Sequence, residues 1–265
     1  MKFEDIIYEK KEGVAKITIN RPKQYNAFTA LTIQELLQAF IDGWTDKAIG
    51  VIVLTGAGDK AFCTGGDQTT RSAEGYAGAG AGLDMADGHA LLLQVIRNVT
   101  KPVVAAVNGY AIGGGHVLHV VCDLTIASET ARFGQVGPRV GSFDAGFGTA
   151  YLSRLIGEKR AKEVWFLCHQ YSAQEALEMG LVNKVVPPDK LDEEVDALCK
   201  ELLAKSPIAL GAVKASFHAD SDNILGIHRM ANPFFLNLYY GTDEALEGKN
   251  AFMEKRPPDY SKFRK

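Results

Sequence analysis

The segment PVVAAVNGYAIGGGHVLHVVCDLTIAS, residues 102–128, constrains the fold more than any other part of the chain. PVVAAVNGY (102–110) is nearly unbroken apolar sequence, the signature of a strand covered on both faces. It delivers the chain into Gly113, Gly114 and Gly115, which open a short apolar helix, and CDLTIAS (122–128) then repeats the strand pattern. Strands of this kind belong to layered α/β cores in which helices shield a mostly parallel sheet. IGVIVLTG (49–56) has the same character, and VAKITIN (14–20) alternates Ala15, Ile17 and Ile19 with polar neighbours. Between them TALTIQELLQAFIDGW (29–44) has helical spacing, with Thr29 or Thr32 as its cap. A further helix is expected over 83–98.

Beyond about residue 146 the chain reads as helical, interrupted by a short strand in LVNKVVP (181–187). A soft boundary falls near residue 200, dividing a core (1–200) from a helical region (201–265). TTRSAEGYAGAGAG (69–82) has loop composition and reads as a mobile loop within the core, not as a linker. No internal repeat is visible.

Composition narrows the class of partner. The 265 residues are 46% hydrophobic and 23% charged, with a net charge of -3. Such a balance supports a large core and argues against a dedicated nucleic-acid binder. No window approaches a membrane span, and the charged first dozen residues have no signal-peptide core. Cys63, Cys122, Cys168 and Cys199 show no C-x-x-C spacing, which suits reduced thiols in a cytoplasmic protein. The partner is therefore a small molecule held in a pocket.

Two glycine loops, KAFCTGGDQ (60–68) and the Gly113–Gly115 run, each follow a strand. Backbone N–H groups from two such loops can converge on one oxygen and stabilise it as an oxyanion, the second from a helix start whose dipole favours negative charge. A dinucleotide site is disfavoured, because no G-x-G-x-x-G follows the first strand and no Walker lysine follows the glycines. His116 and His119 stand three apart, yet no carboxylate shares their face, so no metal is expected. In GQVGPRVGSFDAGFGT (134–149), Asp144 reads either as the cap of a helix beginning near Ala145 or Gly146 or as a catalytic acid. Trp165 and Tyr240 read locally as core aromatics.

Together NRPKQYNAF, KAFCTGGDQ, PVVAAVNGYAIGGG and FGQVGPRVGSFDAGFGT resemble the enoyl-CoA hydratase/isomerase (crotonase) superfamily over almost the whole chain. The resemblance implies an α/β spiral of ββα units with a C-terminal helical trimerisation region, and a homotrimer or homohexamer. It implies an acyl-CoA substrate, coenzyme A being part of that substrate and not a tightly bound cofactor. The thioester carbonyl would lie between the N–H groups of Gly66 and Gly114. Coenzyme A would run past Tyr25, Ala61, Gly65, Gln68 and Arg71, with Phe252 and Lys255 near its nucleotide. The two glutamates of the family's hydratases fall on Val117 and Gly137, so hydration by paired carboxylates is not expected.

Within the superfamily the chain resembles two branches, 2-ketocyclohexanecarboxyl-CoA hydrolases, which open a ring, and 1,4-dihydroxy-2-naphthoyl-CoA synthases, which close one. Both reactions pass through a thioester enolate. The resemblance implies roles for Ser142, Asp144 and Tyr240 at the ring ketone, with Tyr76 closing over the substrate or giving a proton. Gln135, Gly137 and Trp165 would outline a bicarbonate pocket under the synthase reading, but Val136 lacks the hydroxyl expected to bind that anion. This favours ring opening; a non-catalytic acyl-CoA scaffold is the remaining alternative.

Overall fold

The computed structural model describes residues 2–72, 75, 76 and 84–264. Its strands are β1 (Ile6–Lys11), β2 (Val14–Ile19), β3 (Val51–Gly56), β4 (Ala61–Cys63), β5 (Arg71–Ser72), β6 (Gly75–Tyr76), β7 (Val103–Val107), β8 (Tyr110–Ile112), β9 (Leu124–Ser128), β10 (Arg132–Gly134), β11 (Gln170–Ser172) and β12 (Lys184–Val186). The helices of the first half are α1 (Ala30–Thr45), α2 (Met85–Asn98), α3 (Gly114–Val121) and α4 (Gly137–Val140). Then come α5 (Leu152–Ile156), α6 (Glu158–Leu167), α7 (Ala173–Glu178), α8 (Leu191–Leu203), α9 (Pro207–Ser221), α10 (Asn223–Met230), α11 (Asn237–Tyr240) and α12 (Asp243–Met253). Wide π-type turns at Phe147–Tyr151 and Ala231–Leu236 lead into α5 and α11.

Two sheets share the chain turn by turn. One runs β1-β2-β3-β7-β9-β12, and the other β11-β10-β8-β4. Each turn of the spiral lays one strand in the first sheet and the next in the second, then climbs through a helix: β3 and β4, β7 and β8 before α3, β9 and β10. This corrects the reading of 102–110 as one strand. The apolar run breaks at Asn108-Gly109, where a Cβ on Gly109 would lie 2.2 Å from the Lys60 carbonyl oxygen. Asn108 holds the corner by donating through Nδ2 to the carbonyls of Gly56 (2.8 Å) and Gly58 (2.6 Å).

The expected helices are present. Thr29 and Thr32 exchange side-chain and backbone hydrogen bonds at the start of α1, a capping box. Asp84 caps α2 by accepting from the Asp87 N–H. Strand β1 was hidden by its charges: it is an edge strand that buries only Ile6. Glu12 (φ 50°) and Gly13 (φ 83°) give the turn to β2 two left-handed residues, the conformation of tight hairpins. Of the glycine-rich stretch 69–82, Arg71–Ser72 and Gly75–Tyr76 form a small antiparallel hairpin; positions 73, 74 and 77–82 lie outside the described residues.

The larger core lies between the sheets and α1, α2 and α3, around Phe40, Phe62, Phe133 and Phe147. On the other face of the first sheet α8 buries Leu191, Val195 and Cys199 against Val51, Val53, Val104 and Ile126. Helix α8 runs through residue 200, and the chain leaves it to restart at Ser206, the cap of α9.

Helix α9 is fastened to the core by a buried charge. Lys214 Nζ lies 2.7 Å from Asp123 Oδ2 and donates to the carbonyls of Ile96 and Lys101, both at 3.1 Å. Asp123 Oδ2 also accepts from the Val103 N–H at 2.7 Å. Removing one member of such a pair strands the other, at a typical cost of about 3–5 kcal/mol. Lys214→Met should therefore lower the thermal unfolding midpoint clearly. Pairing it with Asp123→Asn should recover part of the loss; a double variant worse than both singles added would contradict this account.

Candidate active site

Strands β4, β8 and β10 lie side by side and parallel, so their carboxyl ends open on one edge of the second sheet. Ligands of open α/β sheets gather outside such ends. The three continuations are Thr64–Gln68, Gly113–Gly115 and Gln135–Asp144, which contain every glycine and acid singled out above. A cavity forms between them, closed by Phe28, Met85, His89, Trp165 and Tyr240.

Each glycine of the run after β8 answers a separate need. Gly113 adopts φ 59°, ψ −126°, a conformation that strains L side chains. A Cβ on Gly114 would lie 2.7 Å from Phe28 Cζ, and one on Gly115 would lie 2.0 Å from the Cys63 carbonyl oxygen. The first intrahelical bond runs from the Val117 N–H to the Gly113 carbonyl. The N–H of Gly114 precedes it and so belongs to the free first turn of α3.

The partner donor is set by Phe28. Its N–H bonds the Gly65 carbonyl at 2.8 Å and its carbonyl accepts from the Asp67 N–H at 2.9 Å. This short parallel bridge occupies the residues on either side of Gly66 and leaves Gly66's own N–H out of the ladder. At Gly65 (φ +86°) a Cβ would stand 3.0 Å from the Gly114 nitrogen, so the two loops are in backbone contact. Gly66 and Gly114 thus line one cavity as donors from separate loops, the arrangement that holds an oxyanion.

Ser142, Asp144 and Tyr240 line the same cavity. Ser142 Oγ and Tyr240 Oη are 2.8 Å apart. Burial pushes the Tyr240 phenol up to about 12, against the opposing influence of Ser142 and Arg71, so it is a proton donor at neutral pH. Asp144 is 9% exposed. Gly146, not Asp144, is the cap residue of the π-type turn, but Asp144 Oδ1 accepts from the Gly148 N–H within it at 3.3 Å, and Asp144 also lines the cavity. Tyr76 receives a hydrogen bond from Gln68 Nε2 at 2.6 Å and meets Tyr240 edge-on; burial raises its phenol as well.

Arg71 requires a correction. Expected on coenzyme A, it is 3% exposed, and its guanidinium donates to the carbonyls of Val140 (3.0 Å), Gly141 (2.7 Å) and Ala245 (3.2 Å). The same group lies 4.2 Å from the centre of the Tyr240 ring. It fixes the end of α4 and the Tyr240 ring and does not reach for a nucleotide. Tyr25 is half exposed and edge-on to Tyr110, Ala61 is buried in β4, and Gly65 and Gln68 line the cavity. Phe252 and Lys255 are exposed at the end of α12, outside the cavity lining.

The positions of the hydratase acids are closed to that chemistry. Val117 is 0% exposed, inside the main core. A Cβ on Gly137 would meet the Ser142 carbonyl oxygen at 2.7 Å and Trp165 Cζ3 at 2.9 Å. In the expected bicarbonate pocket, Trp165 Nε1 donates to the Gly148 carbonyl at 2.5 Å and Gln135 Nε2 to the Gly113 carbonyl at 3.3 Å. Gln135 also sits 3.3 Å from His116 Nδ1, whose pKa burial draws down to about 3. The His116–His119 pair packs edge-on against Phe133, and among the described residues no group of side chains could hold a metal ion.

Sequence reasoning did not single out Phe28, Met85 or His89 as part of the site. Phe28 ends a quoted motif, which was the available signal; its contacts with both glycine loops appear only in the fold. His89 and Met85 arrive on α2, after a glycine-rich stretch whose composition does not place them.

The sequence profile of the enoyl-CoA hydratase/isomerase family matches residues 9–263. Solved structures agree. An enoyl-CoA hydratase from Mycobacterium avium subsp. paratuberculosis K-10 is 27% identical, with 97% of this chain and 99% of that one covered and a TM-score of 0.87. An enoyl-CoA hydratase from Bacillus anthracis is 32% identical over 97% and 99% of the two chains, with a TM-score of 0.73. An enoyl-CoA hydratase/isomerase from Xanthobacter autotrophicus Py2 is 26% identical over 96% and 94%, with a TM-score of 0.83. With its spiral of paired strands and its two glycine loops meeting at one cavity, this chain belongs to the enoyl-CoA hydratase/isomerase family.

Proposed function

We propose that this protein hydrolyses the C–C bond of a cyclic β-ketoacyl-CoA, opening the ring as 2-ketocyclohexanecarboxyl-CoA hydrolases do. The observation that carries the reading is the Ser142–Tyr240 hydrogen bond of 2.8 Å, in a cavity that Asp144, Gly66 and Gly114 also line. A hydratase needs a carboxylate near the thioester, and Val117 and Gly137 supply none. A ring opener needs a carboxylate and oxyanion donors at a second carbonyl, and these are present.

In this reading the thioester carbonyl accepts from Gly66 and Gly114. Asp144 takes a proton from water as the oxygen adds to the ring ketone, and Ser142 and Tyr240 stabilise the negative oxygen. Collapse of the adduct forms a carboxylic acid and breaks the bond to the α-carbon, whose electrons pass into the thioester enolate. The glycine donors hold that enolate until the α-carbon recovers a proton, and Tyr76 covers the substrate. One such donor is typically worth about 10²–10³ in rate. Phe252 and Lys255 remain candidates for the nucleotide end of coenzyme A.

Ring closure of o-succinylbenzoyl-CoA would use the same enolate site. Against its bicarbonate-assisted form stand Val136 and the engagement of Trp165 and Gln135 with backbone carbonyls. The exposed apolar side chains of Ile208, Phe217, Phe234 and Leu238 support assembly through the C-terminal helices as a homotrimer or homohexamer. No helix among the described residues is long and apolar enough to cross a membrane, consistent with a proposed cytoplasmic location.

Two measurements test the reading. Incubation with 2-ketocyclohexanecarboxyl-CoA should add one water to give pimeloyl-CoA by mass spectrometry. Loss of water from o-succinylbenzoyl-CoA would instead establish ring closure, and turnover of neither would favour a non-catalytic acyl-CoA scaffold. Asp144→Asn should lower kcat by about 10²–10⁴-fold while coenzyme A thioester binding, followed by calorimetry, is retained. Full turnover in that variant would remove Asp144 from the mechanism.

A further inference from the structure

His89 rises from the second turn of α2 into the cavity and takes no part in the chemistry assigned above. The residue is 8% exposed. Its imidazole stacks on Phe28, centroids 4.9 Å apart and planes inclined by 19°. Phe28 thereby fixes the ring as well as both glycine loops. One edge of the imidazole faces Asp144, with Nδ1 3.9 Å from Oδ2. On the other side Nε2 is buried without a hydrogen-bond partner, 3.4 Å from where a Cβ on Gly114 would stand. A phenylalanine would fill this space without the desolvation cost of an unmet nitrogen. The polar ring therefore calls for a chemical reason.

We propose that His89 is the positioning partner of Asp144, holding the proton that Asp144 withdraws from the attacking water until the α-carbon takes it back. The inference rests on the ring-opening reading above. A separation of 3.9 Å is too long for a direct hydrogen bond. A water about 2.8 Å from both atoms would bridge them at about a right angle. A second water bonds through its oxygen to the ketone carbon as its proton passes to Asp144, and the neutral imidazole accepts from the resulting acid through the bridging water. When the ring bond breaks, the enolate carbon takes that proton, and carboxylate and neutral imidazole are restored. No further reactant is consumed.

The surroundings favour a neutral resting ring. Burial lowers the His89 pKa most, Asp144 opposes it, His228 on α10 adds to it, and the Gly114 backbone opposes it. The ring is thus an acceptor at neutral pH, and acidification removes that capacity as it charges.

Two measurements decide. In protein labelled with ¹⁵N-histidine, the His89 signal, assigned by its loss in His89→Phe, should titrate about one pH unit lower in Asp144→Asn, since a facing carboxylate favours the charged ring. An unchanged midpoint would overturn the pairing whatever the substrate. With 2-ketocyclohexanecarboxyl-CoA, His89→Phe keeps the stack on Phe28 and should lower kcat by about 10²-fold. KM should stay within about threefold, and the acid limb of the rate profile should move to lower pH. Full kcat with an unmoved acid limb would also overturn it. If the wild-type protein does not open the ring, the functional reading fails, and the titration alone still decides whether the pair exists.

Discussion

The structure depends on the backbone contact between the loops that end β4 and β8. Gly115 lies over the Cys63 carbonyl, Gly65 against the Gly114 nitrogen, and Phe28 ties the first loop by hydrogen bonds while its ring covers the second. None of these approaches tolerates a side chain, which is why glycine occupies each position. Gly66 and Gly114 thereby line one cavity from two loops held in fixed contact. Donors fixed in advance need no reorganisation when charge develops on an oxygen, and that is the source of their catalytic value. The sheet order provides this economically, since adjacent parallel strands necessarily end on the same side.

In the proposed ring opening, what surrounds Gly66 and Gly114 decides which reaction a thioester enolate would serve. The two buried phenols of the cavity are held in neutral, proton-donating form: burial pushes Tyr240 up to about 12 and raises Tyr76 too. Arg71 opposes this rise without reversing it, and its guanidinium is held by three carbonyls and the Tyr240 ring. A site with one carboxylate, two phenols and a hydroxyl suits an oxyanion at a second carbonyl better than the addition of water across a double bond.

Much of this was legible in the sequence, for identifiable reasons. Buried parallel strands carry long apolar runs, so β3, β7 and β9 announced themselves, and the glycines after β4 and β8 marked the site. Three-residue strands such as β10 and β11 have too few positions for a period, and β1 disguised itself as a charged terminus. The corner at Asn108-Gly109 was missed because the apolar pattern continues across it into the other sheet. Arg71 was misplaced because sequence proximity to GGDQ says nothing of direction, and its partners Val140 and Ala245 lie far along the chain. His89 was invisible for the same reason: its meaning comes from Asp144, 55 positions away.

The opening of α3 carries no carboxylate. In GHVLHVV every side chain after the glycines is buried, and His116 and His119 are neutral core groups. His116 sits beside the Gln135 amide that donates to the Gly113 carbonyl. A neutral imidazole in that place adds no charge to compete with an enolate, whereas a carboxylate at Val117 would repel one. In the proposed mechanism the helix that carries Gly114 thus works as an uncharged mount, and the ionisable chemistry belongs to the loop that carries Asp144.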